Sequence, residues 1–598
     1  MKNELKEIYS GRIANCSDNL AHVDKKINAF VAYRSILAIF GIALSIYCFN
    51  VVPLLGILIF IASASLFYNL VKQHSRLDFT KLQLSMLIKI NEEEINRLAG
   101  NNSEYNTGEE YIDMDHPYAA DLDLFGKGSL FQYINRTSGN SGRECLAKWL
   151  LETAEEKEIL LRQDAVTELK NKIDWRQDFQ AIGRLTKEKE HDLDLLVDWL
   201  NDPAYFSNIK IYEIILTILP FATITLLFLS IFLIPITIPG ILILVQIWII
   251  RENRKKIKPY YLKTQGKYEV LLKYEGLIES IEGERFTSEK LMLLRNHITE
   301  SRSNKTASEN INSLAKIVNA FDWRLNMIYP LINAVFMWDI QCILRLEKWK
   351  STFKDEMRTW FTSIHEIDAL SSLGTFYFNN PEFTMPKITS SKFVVKAGNL
   401  GHPLINESSR ICNDLDMDGT GKFILITGSN MAGKSTFIRS VGLGLVLATT
   451  GAPICADHFE FYPMKIYTSM RVKDSLDDGE SSFYAELKRL KLILDNLNKK
   501  EKVMVLLDEI LRGTNSEDKH TGSKAFIKQL TKYHCMGLIA THDLELGGLA
   551  DQFPEKIKNC CFEVLIKGEK FTYDYKLKEG VCQTLNATVL MKHMGITI

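Results

Sequence analysis

Two stretches of this 598-residue chain carry no charge at all: Ser35 to Val71 and Ile214 to Ile250. A helix crossing a bilayer needs about 20 apolar residues, so each stretch has length for two crossings. Turn residues sit near each middle, Asn50 to Pro53 in the first and Pro235 to Pro239 in the second. The flanks are basic. Arg34, Lys72 and Arg76 bracket the first stretch; Lys210 precedes the second, and Arg251, Arg254, Lys255 and Lys256 follow it. This pattern predicts two transmembrane hairpins with their ends in the cytoplasm, and Tyr33, Tyr47, Tyr68 and Trp248 at the interfaces. The competing reading is two hairpins buried in a soluble core. It is disfavoured because a core helix rarely lacks polar residues all round. Residues 1–30 are polar and unlike a signal-peptide start, so the first hairpin is expected to stay uncleaved. The expected location is the cell (inner) membrane, multi-pass, with the soluble part cytoplasmic.

The length suggests three or four domains. A formal net charge of −1 is not the basic footprint of a nucleic-acid binder and leaves room only for a local patch. The basic run Arg251 to Lys258 suits either DNA or anionic lipid beside a membrane, the second being the commoner cause. The ten cysteines are scattered with no C-x-x-C spacing, and read as reduced cytosolic thiols.

The chemistry lies in the C-terminal third. The apolar run Phe423 to Thr427 leads into Gly428-Ser-Asn-Met-Ala-Gly-Lys-Ser-Thr436, and Phe437 to Val441 follows. Strand, glycine-bounded loop, helix, with the spacing G-x-x-x-x-G-K-S, is the phosphate loop of nucleotide hydrolases. The backbone N–H groups of Gly428, Ser429, Asn430, Met431, Ala432, Gly433, Lys434, Ser435 and Thr436 are expected to wrap a polyphosphate. Lys434 would reach the β- and γ-phosphates of ATP, and Ser435 would hold Mg²⁺. A second apolar run, Val503 to Leu507, ends in Asp508-Glu509. Carboxylates at the C-terminal end of a buried parallel strand sit where open α/β sheets bind ligands. Asp508 is the second candidate for Mg²⁺ and Glu509 for the general base. A third run, Met536 to Ala540, leads to His542, a candidate to sense the γ-phosphate or orient water.

The residues between these parts narrow the family. The loop resembles the G-P-N-M-G-G-K-S-T of the MutS mismatch-repair ATPases. Asp508-Glu-Ile-Leu-Arg-Gly-Thr514 resembles their D-E-I-G-R-G-T, and Ala540-Thr-His-Asp-Leu-Glu-Leu546 their A-T-H-Y-F-E-L. Asp474 to Phe483, with Glu486, is similar to their signature segment, and Gly401-His-Pro-Leu404 to the opening of their ATPase domain. Upstream, Leu122-Asp-Leu-Phe125, Gly128-Ser-Leu-Phe131 and Leu146-Ala-Lys-Trp-Leu150 resemble the start of the family's core. The resemblance implies a homodimer with a composite site. The signature serines, here Ser481 and Ser482, would touch the nucleotide held by the other copy; Asn430 would sense phosphate, and Asp518 would lie in a dimer-crossing segment. Ser482 also suits a plain helix N-cap, and the two roles are compatible.

The chain departs from the family too. No F-x-E wedge precedes the core, the first hairpin stands where the mismatch-reading domain would be, and the second falls near the DNA-gripping clamp. The family's C-terminal helix-turn-helix is expected to be missing after Ile598. The expected fold is an α/β P-loop ATPase domain of ABC type, with a mostly parallel sheet, joined to an all-α core and lever domain with two transmembrane helical hairpins. Its parts are a polar helix 1–30, hairpin 31–72, helix and linker 73–116, core 117–212, hairpin 213–250, lever helices 251–385 and ATPase domain 386–598. The expected function is a membrane-anchored MutS-like ATPase that drives lever motion and binds double-stranded DNA in the manner of mismatch repair, with repair or membrane partners unnamed. The alternative is a membrane-remodelling or signalling ATPase without DNA. An ABC transporter fits less well, because the signature reads Asp-Asp-Gly-Glu-Ser-Ser and two short hairpins make a poor permeation path.

Overall fold

The computed structural model describes residues 2–101, 105–186, 192–207, 210–300, 304–429, 431–471, 482–499, 501–567 and 570–582. The chain opens with two very long helices, Lys2–Val51 and Pro53–Leu98. The polar N-terminal residues and the first half of the first apolar run share one unbroken helix. The turn falls at Val52, which is extended at φ −140°, and Pro53 starts the return, where its missing N–H costs nothing. The arms pack so closely near the tip that a Cβ on Gly56 would lie 2.5 Å from the Phe49 backbone.

The polar halves of these helices lie on the helical core. Tyr9 donates to Asn379 at 2.6 Å. Glu94 forms an ion pair with Arg136 at 3.0 Å, both almost fully buried. Burial alone would raise the Glu94 carboxyl, but Arg136 and Arg97 outweigh it and hold the group at about 2. Removing one partner of a buried pair typically costs about 3–5 kcal/mol. Arg136→Met is therefore expected to lower stability by about that much, read as a shifted denaturation midpoint; a shift below about 1 kcal/mol would mean water reaches the pair.

The second apolar run differs from expectation in two ways. Its helices are Lys210–Leu229 and Thr237–Glu252, so the turn spans 230–236, beginning before the predicted Pro235 to Pro239 and overlapping it only at 235–236. Pro239 sits in the first turn of the return helix, a position that needs no N–H donor. The return helix has 16 residues, about 24 Å at 1.5 Å per residue. Among the described residues, three helices are long and apolar enough to cross a membrane: Lys2–Val51, Pro53–Leu98 and Lys210–Leu229. The fourth expected crossing falls short. Between the two arms Gln246 donates to Thr223 at 3.0 Å, with both side chains fully buried.

The lever region also departs from its pattern. A continuous helix over 330–371 is expected; instead Tyr329–Phe336 and Trp338–Asn379 meet at Met337, which is left-handed at φ 49°. A side-chain clasp stabilises the break: Asn333 donates to Asp339 at 3.1 Å, and accepts from the Asp339 N–H at 3.1 Å.

The C-terminal region has two sheets. The smaller contains β1 (Lys387–Ile388), β2 (Val394–Leu400), β3 (Asn413–Asp418) and β5 (His458–Phe461) in the order β1-β5-β2-β3. The larger contains β4 (Lys422–Gly428), β6 (Lys465–Ser469), β7 (Val503–Asp508), β8 (Cys535–Thr541), β9 (Ile557–Lys567) and β10 (Lys570–Glu579). Its order is β10-β9-β4-β8-β7-β6, parallel except for β10. Every residue of β7 and β8 is buried, as a strand covered on both faces requires. One apolar core runs without a break from Tyr118 through the lever helices to Phe562. Leu122 fills the space over Gly442 so tightly that a Cβ there would lie 2.6 Å from its methyl carbon. The helical core and the helix Lys434–Thr450 are thus one packed unit.

Candidate functional site

Register explains why distant residues meet. Thr427 pairs with Thr541 and Asp508 with Ala540, so β4, β7 and β8 end at one level of the sheet. The loop after β4 starts at Gly428, with φ 145°, where any Cβ would lie 2.5 Å from the Phe562 carbonyl oxygen. Gly433, φ 110°, precedes the helix Lys434–Thr450. A glycine at each end lets the backbone turn tightly and leaves a helix N-terminus facing the cleft.

The Lys434 ammonium is buried and donates to the carbonyls of Gly428 at 2.7 Å and Ser429 at 2.9 Å. Burial pulls its pKa below the usual lysine value. The Ser435 hydroxyl donates to Asp508 at 2.5 Å. Glu509 follows at φ 53°, its N–H held by the Ala540 carbonyl at 3.0 Å. Its carboxylate touches His542 Nε2 and lies 3.2 Å from Arg512 Nε. The His542 contact, with Arg512 and Lys519 adding to it, holds Glu509 at about 2 despite partial burial. Lys434 Nζ is 3.4 Å from the same His542 nitrogen.

These groups line a cleft of about 690 Å³. His402, Ile405, Ile411, Asn413, Phe562 and Tyr575 line it as well. Burial, with Arg439 and Arg410 nearby, lowers His402 to about 4, so its imidazole is neutral at pH 7. Anion-seeking groups share the cleft with aromatic and aliphatic side chains, a mixed lining that suits a ligand with phosphates and a flat base. The hydroxyl and carboxylate of Ser435 and Asp508 form the hard oxygen pair that Mg²⁺ favours.

A family model for MutS domain V matches residues 424–593, the span that contains this cleft's loop, carboxylates and histidine. Over 237 residues, 39% of the chain, the sequence is 35% identical to the DNA mismatch repair protein MutS of Thermotoga maritima. It is 33% identical over 226 residues, 36% of the chain, to the DNA mismatch repair protein MutS of Methanococcoides burtonii. It is 31% identical over 215 residues, 34% of the chain, to MutS protein homolog 4 of Homo sapiens. Residues 424–593 are thus MutS-like. The matches span 29%, 25% and 22% of those relatives' own lengths, so the likeness is one of the ATPase end.

Of the MutS motifs, Asn430 and Ser481 lie outside the described residues, as does most of the signature segment. Ser482 begins the helix Ser482–Asn498. Asp518 does not line the cleft; it lies in the first turn of the helix Ser516–Leu530, bonded to the cap residue Asn515 at 2.7 and 2.8 Å.

In the sequence Glu486 is part of a motif without a task. Its buried carboxylate accepts the backbone N–H groups of Leu511, at 2.5 Å, and Arg512, at 3.1 Å. Those residues follow Glu509, and Leu511 is itself left-handed at φ 60°. Glu486 thus ties the signature helix to the turn that carries Glu509. The same helix is tied to the core: Arg489 reaches Asp121 at 3.2 Å and the Thr468 carbonyl at 2.8 Å, while Asp121 also accepts from Thr468, Met470 and Arg471. Asn413, Phe562 and Tyr575 belong to no motif; sheet order brings β9 and β10 beside the loop, and Asn413 of the smaller sheet is held there by bonds to the Tyr575 carbonyl at 3.0 Å and the Leu577 N–H at 2.8 Å.

Proposed function

We propose that this chain is a membrane-anchored ATPase of the MutS family whose two copies close around ATP and reopen on hydrolysis, moving the lever helices between the cleft and the bilayer. The observation that carries the reading is the convergence of Lys434, Ser435, Asp508, Glu509 and His542 on one cleft at the C-terminal edge of the parallel sheet. Residues 428–436, Asn430 included, wrap the phosphates, with Lys434 on the β- and γ-groups. Ser435 and Asp508 hold Mg²⁺, which neutralises charge on the phosphates. Ser481 and Ser482 of one copy meet the nucleotide of the other, and Asp518 lies near the crossing between them.

Glu509 at about 2 is a weak base while it holds His542. A γ-phosphate competes for the imidazole, and a Glu509 freed of His542 rises towards the range useful for activating water. ATP thereby assembles its own catalytic group. Closure itself follows only if ATP binds the closed pair more tightly than the open one.

Glu486 positions this machinery. Glu486→Ala leaves two buried N–H groups without an acceptor, at about 1–3 kcal/mol each. The expected result is a kcat about tenfold lower or less with little change in KM for ATP, and substantial recovery in Glu486→Gln, which keeps one acceptor oxygen. An unchanged kcat would leave Glu486 with a purely local role.

The DNA reading draws on the relatives, which are named as mismatch repair proteins. Its test is duplex binding by the full-length protein in detergent at about 50 and 200 mM salt, where phosphate contacts make affinity fall steeply. Affinity that falls this way supports DNA handling. No binding at the lower salt leaves a membrane-remodelling or signalling ATPase.

A further inference from the structure

The segment Trp323 to Phe336 has no part in the cleft, yet it is the least covered apolar stretch of the lever region. Met327 is 95% exposed, Leu331 71% and Ile328 60%, with Trp323 beside them at 51%. No acidic residue occurs in the segment, and its one cation is Arg324. That guanidinium turns inward, 4.7 Å from the Tyr261 ring and 3.2 Å from Asp339. The outer face is therefore apolar, with Asn326 as its one exposed polar side chain.

Where this face sits decides what covers it. The helix Tyr329–Phe336 packs against both arms of the second hairpin, Lys210–Leu229 and Thr237–Glu252. It does so at their base, where Gln341 donates to the Leu216 carbonyl at 3.4 Å and to the Phe336 carbonyl at 2.8 Å. The left-handed Met337 and the Asn333–Asp339 clasp turn this short helix out of line with the 42-residue helix that follows. The return arm runs on into Arg251, Arg254, Lys255 and Lys258, all exposed and suited to anionic headgroups. The return arm also falls about 6 Å short of a hydrocarbon core of about 30 Å. An interfacial helix buries its apolar face about 5–10 Å into the headgroup and acyl boundary, which is the depth that would seat the short hairpin.

We propose that residues 323–336 are a third lipid-contacting element, a wedge whose Met327, Ile328 and Leu331 enter the leaflet nearest the ATPase domain beside the second hairpin. The proposal rests on the membrane reading above. It assigns the base of the lever to the bilayer surface, so lever motion would press on the leaflet as well as on the hairpin.

The test uses the full-length protein in nanodiscs of phosphatidylcholine and phosphatidylglycerol containing a phosphatidylcholine with a photoactivatable diazirine near the top of one acyl chain. Adducts are mapped to peptides by mass spectrometry. The expected result is labelling within 35–71, within 214–250 and on 323–336, the last falling about tenfold in the double variant Met327→Asp/Leu331→Asp while the hairpins stay labelled. Labelled hairpins with an unlabelled 323–336 would overturn the wedge and leave the anchor intact. An absence of lipid adducts on all three segments would remove the membrane reading and the wedge together.

Discussion

Lys434→Ala is expected to weaken ATP binding at least about 100-fold, because charge-assisted bonds contribute about 1.5–3 kcal/mol each and the ammonium makes several to the β- and γ-phosphates. Lys434 enters the cleft from the first residue of its helix, already desolvated and held by the Gly428 and Ser429 carbonyls. Its position is set before a ligand arrives, so little ordering entropy is lost on binding. Titration with a fluorescent ATP analogue, alongside a circular dichroism spectrum to confirm folding, checks this. A folded variant with unchanged affinity would show that the polyphosphate does not lie on residues 428–436.

Glu509→Gln is expected to bind ATP with near-normal affinity and lower kcat by about 10²–10⁴-fold, the range for removing a general base. Glutamine keeps the shape of the side chain and an oxygen for Arg512 or His542. The loss would therefore report charge and basicity rather than packing. ATP that cannot be cleaved should hold the closed pair, visible as an ATP-dependent rise in mass by light scattering. A wild-type rate in this variant would place the base elsewhere. The pH dependence carries a second check. The folded pKa of Glu509, about 2, lies below the ordinary glutamate value of 4.5. Its pairing with His542 therefore adds stability above about pH 4.5 and loses it as pH falls through about 2. Protonation of the paired carboxylate accordingly does not explain an acid limb of free-enzyme kcat/KM above about pH 4.

The parts legible in the sequence are those whose chemistry is local. A loop that must bend twice and present N–H groups needs Gly428 and Gly433 at fixed spacing, and a strand covered on both faces needs an unbroken apolar run such as Val503 to Leu507. The first hairpin's turn is legible for the same reason, because Pro53 is suited to start a helix. Elsewhere the deciding partner is remote. Met337 breaks a helical pattern because Asn333 and Asp339 clasp across it. The turn of the second hairpin ends before Pro239 because Pro239 is tolerated inside the first turn of the return helix. Glu486, Arg489 and Asp121 join the signature helix to the Glu509 turn on one side and to the core on the other, across separations that no periodicity encodes. The aromatic lining of the cleft, Phe562 and Tyr575, comes from strands that reach β4 only through the order of the sheet.

In the function proposed above, the link from Asp121 through Arg489 to Glu486 carries nucleotide-driven motion from the cleft to the core, and the apolar helices are what that motion acts on. The most direct measurement of that arrangement is alkaline carbonate extraction of membranes from cells producing the full-length chain, with ATPase activity then assayed on the untreated membrane fraction. The chain should stay in the carbonate-washed pellet, and the untreated membranes should hydrolyse ATP at a rate that Glu509→Gln abolishes. Recovery of the chain in the carbonate supernatant, active and without detergent, would contradict an ATPase built into a bilayer.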